Sequence, residues 1–306
     1  MTPSHRDLRT DLGLLALTVI WGVNFSVVKA ALGFLDPLAL NALRFPLAGL
    51  VLWVMVQRRS GPPADPRDFL GLVVLGIVGN VAYQMCFILG IDATLAGNAS
   101  LLLATSPVWT VLLSAAVGHE RPTALVYAGS TLTLGGMALV VIGGGKALSL
   151  GHETLVGDGL MILGALLWAT YTVGSSRYIR KYGPVRVTAW TLWIGTPFLV
   201  ALGGPALWST DWAGTPTWVW GAVVYAGVFS VAVAYLLWYR GVQRLGNSRT
   251  AVYSNLVPVI ALLTAWLWLG EVPTLLQAGG AGIILSGIYL ARRRKTLQPP
   301  EPRAGR

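Results

Sequence analysis

Charge and cysteine are what this chain has least of. Only 11% of its 306 residues are Asp, Glu, Lys or Arg, while 55% are apolar. A soluble domain carries about 25% charged residues, and no aqueous core could hide this much apolar surface, so lipid is the solvent that fits. A single cysteine, Cys86, excludes an intrachain disulfide, and its place inside an apolar run reads as a core thiol. Of the three histidines, His5, His119 and His152, none lies within an apolar run, and neither an HExxH nor a GxSxG pattern occurs. Nothing is therefore on hand for a metal centre or a nucleophile with its base, which argues against a membrane-embedded enzyme and gives no catalytic residue, metal ligand or cofactor. No small-residue cleavage site follows the first apolar run, so the first helix is expected to stay attached. Acidic residues number 12 against 22 Lys and Arg, a formal charge of +10. The basic residues are spread over loops without a nucleic-acid fold signature, so the excess speaks of membrane topology and not of nucleic acid.

Apolar sequence is what the chain has in quantity, and it comes twice. Gly90, Pro107, Glu120, Pro122, Thr123, Leu125, Gly129 and Gly136 recur 151 positions later as Gly241, Pro258, Glu271, Pro273, Thr274, Leu276, Gly280 and Gly287. Gly76 and Pro46 map to Gly227 and Pro197 at the same offset, whereas Asp11, Trp21 and Pro37 map to Asp158, Trp168 and Pro184 at 147. The change places about one helical turn of insertion between Pro184 and Pro197. Windows of about 20 apolar residues predict spans near 12–31, 38–57, 69–90, 95–117, 123–143, 157–178, 185–204, 218–239, 248–269 and 274–291. The expected fold is an all-α integral membrane protein of ten transmembrane helices. Residues 1–143 form the first five-helix repeat, 144–156 a flexible linker, 157–291 the second repeat and 292–306 a basic tail, disordered from Leu297. Five is odd, so the second repeat enters the bilayer inverted. Lys and Arg gather at the N-terminus, in the even-numbered loops and in the tail, and the odd loops hold only Lys146. Both termini should then face the cytoplasm, in a cytoplasmic (inner) membrane of bacterial type.

Several features together resemble the EamA-type branch of the drug/metabolite transporter superfamily over nearly the whole chain. They are the two sets of five spans, the mid-span Trp in Trp21-Gly22-Val23-Asn24-Phe25 and Trp168-Ala169-Thr170-Tyr171-Thr172, and the Pro107…Glu120-Arg121-Pro122 and Pro258…Glu271-Val272-Pro273 arrangements. Within that branch the chain is most similar to inner-membrane amino-acid exporters, aromatic ones included. The resemblance implies export of a small-molecule solute by alternating access. It also implies a central cavity lined by helices 1, 3, 4, 6, 8 and 9, with helices 5 and 10 as a peripheral scaffold. Multidrug efflux is the alternative function it allows.

The residues themselves nominate a site. Trp21 and Trp168 lie about ten residues into their spans, deeper than the interfacial belt, and either wall a cavity or pack helices. Asn24 and Tyr171 follow three residues on, on the same face. Asn80, Tyr83, Gln84 and Phe87 form a polar-aromatic stripe at i, i+3, i+4 and i+7 of helix 3. Helix 8 offers Tyr235, Trp238 and Tyr239, helix 4 offers Asn98, Ser100 and Thr105, and helix 9 offers Tyr253, Ser254 and Asn255. Arg44, about a third of the way into helix 2, needs water, a carboxylate or carbonyls, and suits either a solute carboxylate or a structural pairing. The substrate-binding set is accordingly Trp21, Asn24, Arg44, Asn80, Tyr83, Gln84, Asn98, Trp168, Tyr171, Tyr235, Trp238 and Tyr253. Pro107 and Pro258 lie mid-span as kinks or hinges. Glu120 and Glu271 are expected to cap the following helix or face water, Lys29 to snorkel, and Asp36 and Asp92 to be solvated. Glycines 129, 135, 136, 279, 280, 282 and 287 suit close packing of helices 5 and 10, within a monomer or across a homodimer. With every Asp, Glu and His at a span end or in a loop, the solute gradient and not a proton is expected to drive transport.

Overall fold

The computed structural model describes residues 5–58, 61–117, 123–143, 152–245, 250, 253, 254 and 256–292. The expectations for Glu120, Arg121, Pro122, Lys146, Asn255 and the tail from residue 293 fall outside this set. The described residues form ten helical spans: α1 (His5–Ala31), α2 (Pro37–Gln57), α3 (Pro66–Ala93), α4 (Ala96–Ala116), α5 (Ala124–Gly143), α6 (His152–Tyr182), α7 (Pro184–Ser209), α8 (Thr217–Val224 continuing through Tyr225–Val233 into Ala234–Leu245), α9 (Leu256–Leu269) and α10 (Leu275–Arg292). Seven of them are long and apolar enough, by length and composition, to cross a membrane.

Helix starts follow local chemistry. Asp36 accepts from the amides of Leu38 (2.7 Å) and Ala39 (3.4 Å) with Pro37 in the first turn of α2, and Asp65 accepts from Arg67 N (2.9 Å) ahead of Pro66 at the start of α3. Gly183, at φ 81°, turns the corner between α6 and Pro184 of α7. Helix α6 starts at His152, five residues before the sequence boundary, so the later part of the expected linker is helical.

Neither repeat packs on itself alone. Helix α1 lies against α8 and α9 of the second repeat, and α6 against α3 and α4 of the first; α2 pairs with α7, and α5 with α10. Each of these contacts has its counterpart under exchange of the repeats, as a pseudo-two-fold arrangement requires. Contacts also sort by loop parity. The α2–α3 loop meets the α6–α7 corner through Lys181 on Asp65 and Asp68 (3.3 and 2.8 Å). At the opposite end Lys29 of α1 donates to the Ile91 and Asp92 carbonyls (2.9 and 2.6 Å), and Glu271 of the α9–α10 turn reaches α4. Even connections meet even ones and odd meet odd, which is the geometry of a second repeat inserted upside down.

Close approach is set by glycines that the repeat pairs up. A Cβ on Gly76 of α3 would lie 2.9 Å from the Thr191 carbonyl of α7, and one on its counterpart Gly227 of α8 would lie 2.5 Å from the Arg44 carbonyl of α2. Gly136 and Gly280 similarly meet each other's carbonyls (2.8 Å each) between α5 and α10, so this part of the glycine pattern packs within the chain. Gly227→Ala is expected to destabilise the purified protein by about 1–3 kcal/mol through overpacking. Gly221→Ala, with nothing within 4 Å of its would-be Cβ, should not. Equal thermal unfolding temperatures for the two variants would refute the close-packing account.

Candidate solute-binding cavity

Between the repeats lies a cavity enclosing about 930 Å³ of space, its open mouth included. α1 supplies Trp21, Asn24 and Phe25, and α3 supplies Tyr83, Gln84 and Phe87. α6 contributes Trp168 and Thr172, and α8 contributes Ser230, Val231, Tyr235 and Trp238. Arg44 of α2, the stretch from Ser100 to Thr110 of α4, and Ser254 and Val257 at the start of α9 complete the wall. Helices 1, 3, 4, 6, 8 and 9 thus line it, joined by α2.

The repeats meet at this wall through equivalent residues. Trp21 and Trp168 touch edge to face with ring centroids 5.9 Å apart. Gln84 Nε2 donates to the hydroxyl of its own counterpart, Tyr235, at 2.9 Å. Around these contacts the rings form one cluster: Trp168 lies 5.1 Å from both Tyr83 and Tyr235, and Trp21 lies 5.5 Å from Trp238. The Trp21 indole N–H donates to the Ser230 carbonyl (3.0 Å), inside the π-helical stretch of α8, where the regular ladder is interrupted.

Arg44 is 1% exposed. Its Nε donates to Asn41 Oδ1 (2.9 Å) and one terminal nitrogen to Gln84 Oε1 (2.7 Å), while the guanidinium carbon lies 5.4 Å from the Phe87 ring centre and 5.6 Å from that of Phe45. Three buried polar atoms of the lining, Asn24 Oδ1, Thr172 Oγ1 and Trp238 Nε1, have no partner among the described residues.

Eight of the twelve nominated residues therefore come together on the cavity: Trp21, Asn24, Arg44, Tyr83, Gln84, Trp168, Tyr235 and Trp238. The other four hold helices to one another. Asn80 packs on α7, where a Cβ on Gly195 would come 2.7 Å from its own. Asn98 Oδ1 accepts from Gln277 Nε2 (2.5 Å), Tyr171 shares a hydrogen bond with Thr191 (2.8 Å), and Tyr253 donates to Asp11 (2.7 Å). Asn80 leaves the stripe because Val78–Ala82 is π-helical. The wider turn inserts a residue and rotates what precedes it, by about 100° per residue, away from Tyr83, Gln84 and Phe87. Repeat mapping would have found lining residues left out of the twelve. Phe25 pairs with Thr172 at the 147 offset, and Phe87 with Trp238, Leu103 with Ser254 and Ser106 with Val257 at 151.

Other nominated groups are placed differently from the sequence expectation. Helix α4 is broken at Ala104–Thr105, so Pro107 falls in the first turn of the segment that follows and opens no gap in its ladder. The Leu103 carbonyl, which an amide at 107 would have met, accepts from Ser106 Oγ (2.5 Å). Pro107 lines the cavity; Pro258, buried in the first turn of α9, does not. Glu271 does not cap the helix after it. Thr274 and Gln277 do that reciprocally (2.8 and 3.2 Å), and Glu271 instead accepts from the Ala96 and Gly97 amides at the start of α4, at 3.1 Å each. Asp158 lies nearly two turns inside α6, 2% exposed, with Oδ1 taken by the Thr94 hydroxyl (2.6 Å) and Oδ2 without a partner among the described residues. It is thus buried, at the end of the apolar stretch Leu155–Tyr182 where the sequence placed it.

A model of the EamA-like transporter family matches this chain twice, over residues 8–142 and 155–293. The chain belongs to that family. Among its relatives, an uncharacterized transporter of Archaeoglobus fulgidus is 33% identical over 92% of this chain and 97% of its own length. A Streptantibioticus cattleyicolor protein named "Probable terminal-alkyne amino-acid exporter" is 30% identical, with 92% of each chain covered. An Escherichia coli protein named "Probable amino-acid metabolite efflux pump" is 29% identical over 91% of this chain and 93% of its own. A crystal structure superposes with a TM-score of 0.66 at 22% identity, covering 92% of this chain and 96% of the other, and so shares this fold.

Proposed function

We propose that this EamA protein exports small metabolites from the cytoplasm, amino acids foremost and among them aromatic or large apolar ones. The two repeats rock about the cavity between them, with both termini on the cytoplasmic face of an inner membrane. The observation that carries this reading is the meeting of repeat-equivalent residues, Trp21 with Trp168 and Gln84 with Tyr235, at the wall of a cavity lined in part by tryptophan, tyrosine and phenylalanine rings. A site on the pseudo-symmetry axis changes its surroundings least when the repeats exchange roles, which alternating access demands. The names of the S. cattleyicolor and E. coli relatives point the same way.

The test is counterflow in proteoliposomes. Vesicles loaded with L-phenylalanine should take up labelled L-phenylalanine, with L-leucine competing and a hydrophobic cationic dye failing to compete. Uptake of the dye with no amino-acid exchange would favour drug efflux instead. In the same vesicles solute should run down its gradient without a pH difference. Uphill movement under an imposed pH gradient, lost in Asp158→Asn or Glu271→Gln, would overturn solute-driven transport.

A further inference from the structure

The buried charge of Arg44 is not matched by a carboxylate among the described residues. Among the described residues the only ion pairs are those of Lys181 with Asp65 and Asp68, at one end of the bundle. The two acceptors on the guanidinium, Asn41 Oδ1 and Gln84 Oε1, are neutral amides, and its other neighbours include the rings of Phe45 and Phe87. A cation so enclosed is strongly unfavourable unless an anion reaches it. Arg44 lines the cavity, and its Nη1 has no acceptor among the described residues. The charge is also one-sided. Gly76 meets the carbonyl of Thr191 as its equivalent Gly227 meets that of Arg44, so the counterpart of Arg44 is Thr191 and the second repeat brings no cation to the equivalent place.

We infer that Arg44 is the recognition point for a carboxylate, so that a free carboxylate is obligatory in the solute; this rests on the cavity being the transport site proposed above. A planar guanidinium fork with one edge held by Asn41 and Gln84 presents its remaining N–H groups to a carboxylate in fixed geometry. The unpartnered Asn24 Oδ1 is an acceptor suited to an α-ammonium, and the rings of Trp21, Trp168 and Trp238 take an apolar side chain. An amine without a carboxylate would add a second positive charge to a cavity that already holds one uncompensated.

Wild-type protein in proteoliposomes, exchanging L-phenylalanine, is challenged with L-phenylalaninamide, 2-phenylethylamine and 3-phenylpropionate. The amide and the amine are expected to bind at least roughly tenfold more weakly than L-phenylalanine, the scale of one charged hydrogen bond, and 3-phenylpropionate is expected to compete. Arg44→Gln should erase the preference for acid over amide, and Arg44→Lys should reduce it without reversing it. Equal competition by the amide in the wild type, or an undiminished acid preference in Arg44→Gln, would overturn the inference. Should Arg44→Gln fail to fold, the wild-type series and Arg44→Lys decide. Exchange of L-phenylalanine with no discrimination against the amide would leave the exporter reading standing and sink the carboxylate. Binding of 3-phenylpropionate with neither binding nor exchange of L-phenylalanine would do the reverse.

Discussion

Trp168→Ala and Trp21→Ala are each expected to weaken L-phenylalanine binding by roughly 30- to 150-fold, with the protein still inserted and folded. A tryptophan ring buries roughly 150–250 Å² against what it touches, and only part of that surface is free for solute, because Trp168 also packs on Trp21, Tyr83, Tyr171 and Tyr235. A loss of about 2–3 kcal/mol is the share that remains. The two losses should not add, since the rings touch at 5.9 Å and each removal loosens the other's wall. Tyr83→Ala, on the Trp168 ring at 5.1 Å, should follow with a smaller effect. Calorimetric titration of each purified variant reads the affinity directly. Unchanged affinity in both tryptophan variants would return these rings to helix packing and move the site elsewhere.

Glu271→Ala is expected to act on rate and not on affinity. Its carboxylate bridges the Ala96 and Gly97 amides at 3.1 Å each, fixing the α9–α10 turn of one repeat to the first turn of α4 in the other. A charged acceptor at a helix N-terminus contributes about 1–2 kcal/mol, and this one can do so only while the two repeats are close at that end. Rocking of the repeats would break the contact, so its removal biases the equilibrium between arrangements by up to roughly 30-fold. Glu271 is not part of the cavity lining, so equilibrium binding should stay within about a factor of two while counterflow falls by about tenfold. Glu271→Gln, which keeps one acceptor oxygen, should fall in between. An affinity loss as large as the rate loss would mean that Glu271 acts on the site and does not join the repeats.

Much of the architecture is legible in the chain, because lipid leaves few alternatives. A backbone in hydrocarbon must satisfy its own hydrogen bonds, so each apolar run of sufficient length becomes a helix, and two sets of five related by offsets of 147 and then 151 become two opposed repeats. The spans land within a few residues of the helices, apart from the earlier starts of α1 and α6, the later ends of α7 and α8, and α9, which begins at Leu256. The site is legible where symmetry and depth coincide. Trp21 and Trp168 stand out by position, and Gln84 and Tyr235, equivalent by offset, meet across the axis.

What the sequence by itself determined is thus the solvent, the number and order of the helices, the duplication and its inversion, and the residue types from which a cavity could be built. Those follow from composition and period, which are properties of the chain alone. Which side chains reach the cavity was decided only by the tertiary structure. The π-helical turn at Val78–Ala82 sends Asn80 to α7 while Tyr83 and Gln84 keep the cavity, and no helical wheel contains that extra residue. Glu271 finds the amides of α4, Asp158 is buried beside Thr94, and Gly136 is spent on Gly280 inside the chain. Each of these partners lies on the opposite repeat, more than 60 residues away. A pattern of period 3.6 tells a residue which face of its own helix it occupies, and only packing tells it what that face meets.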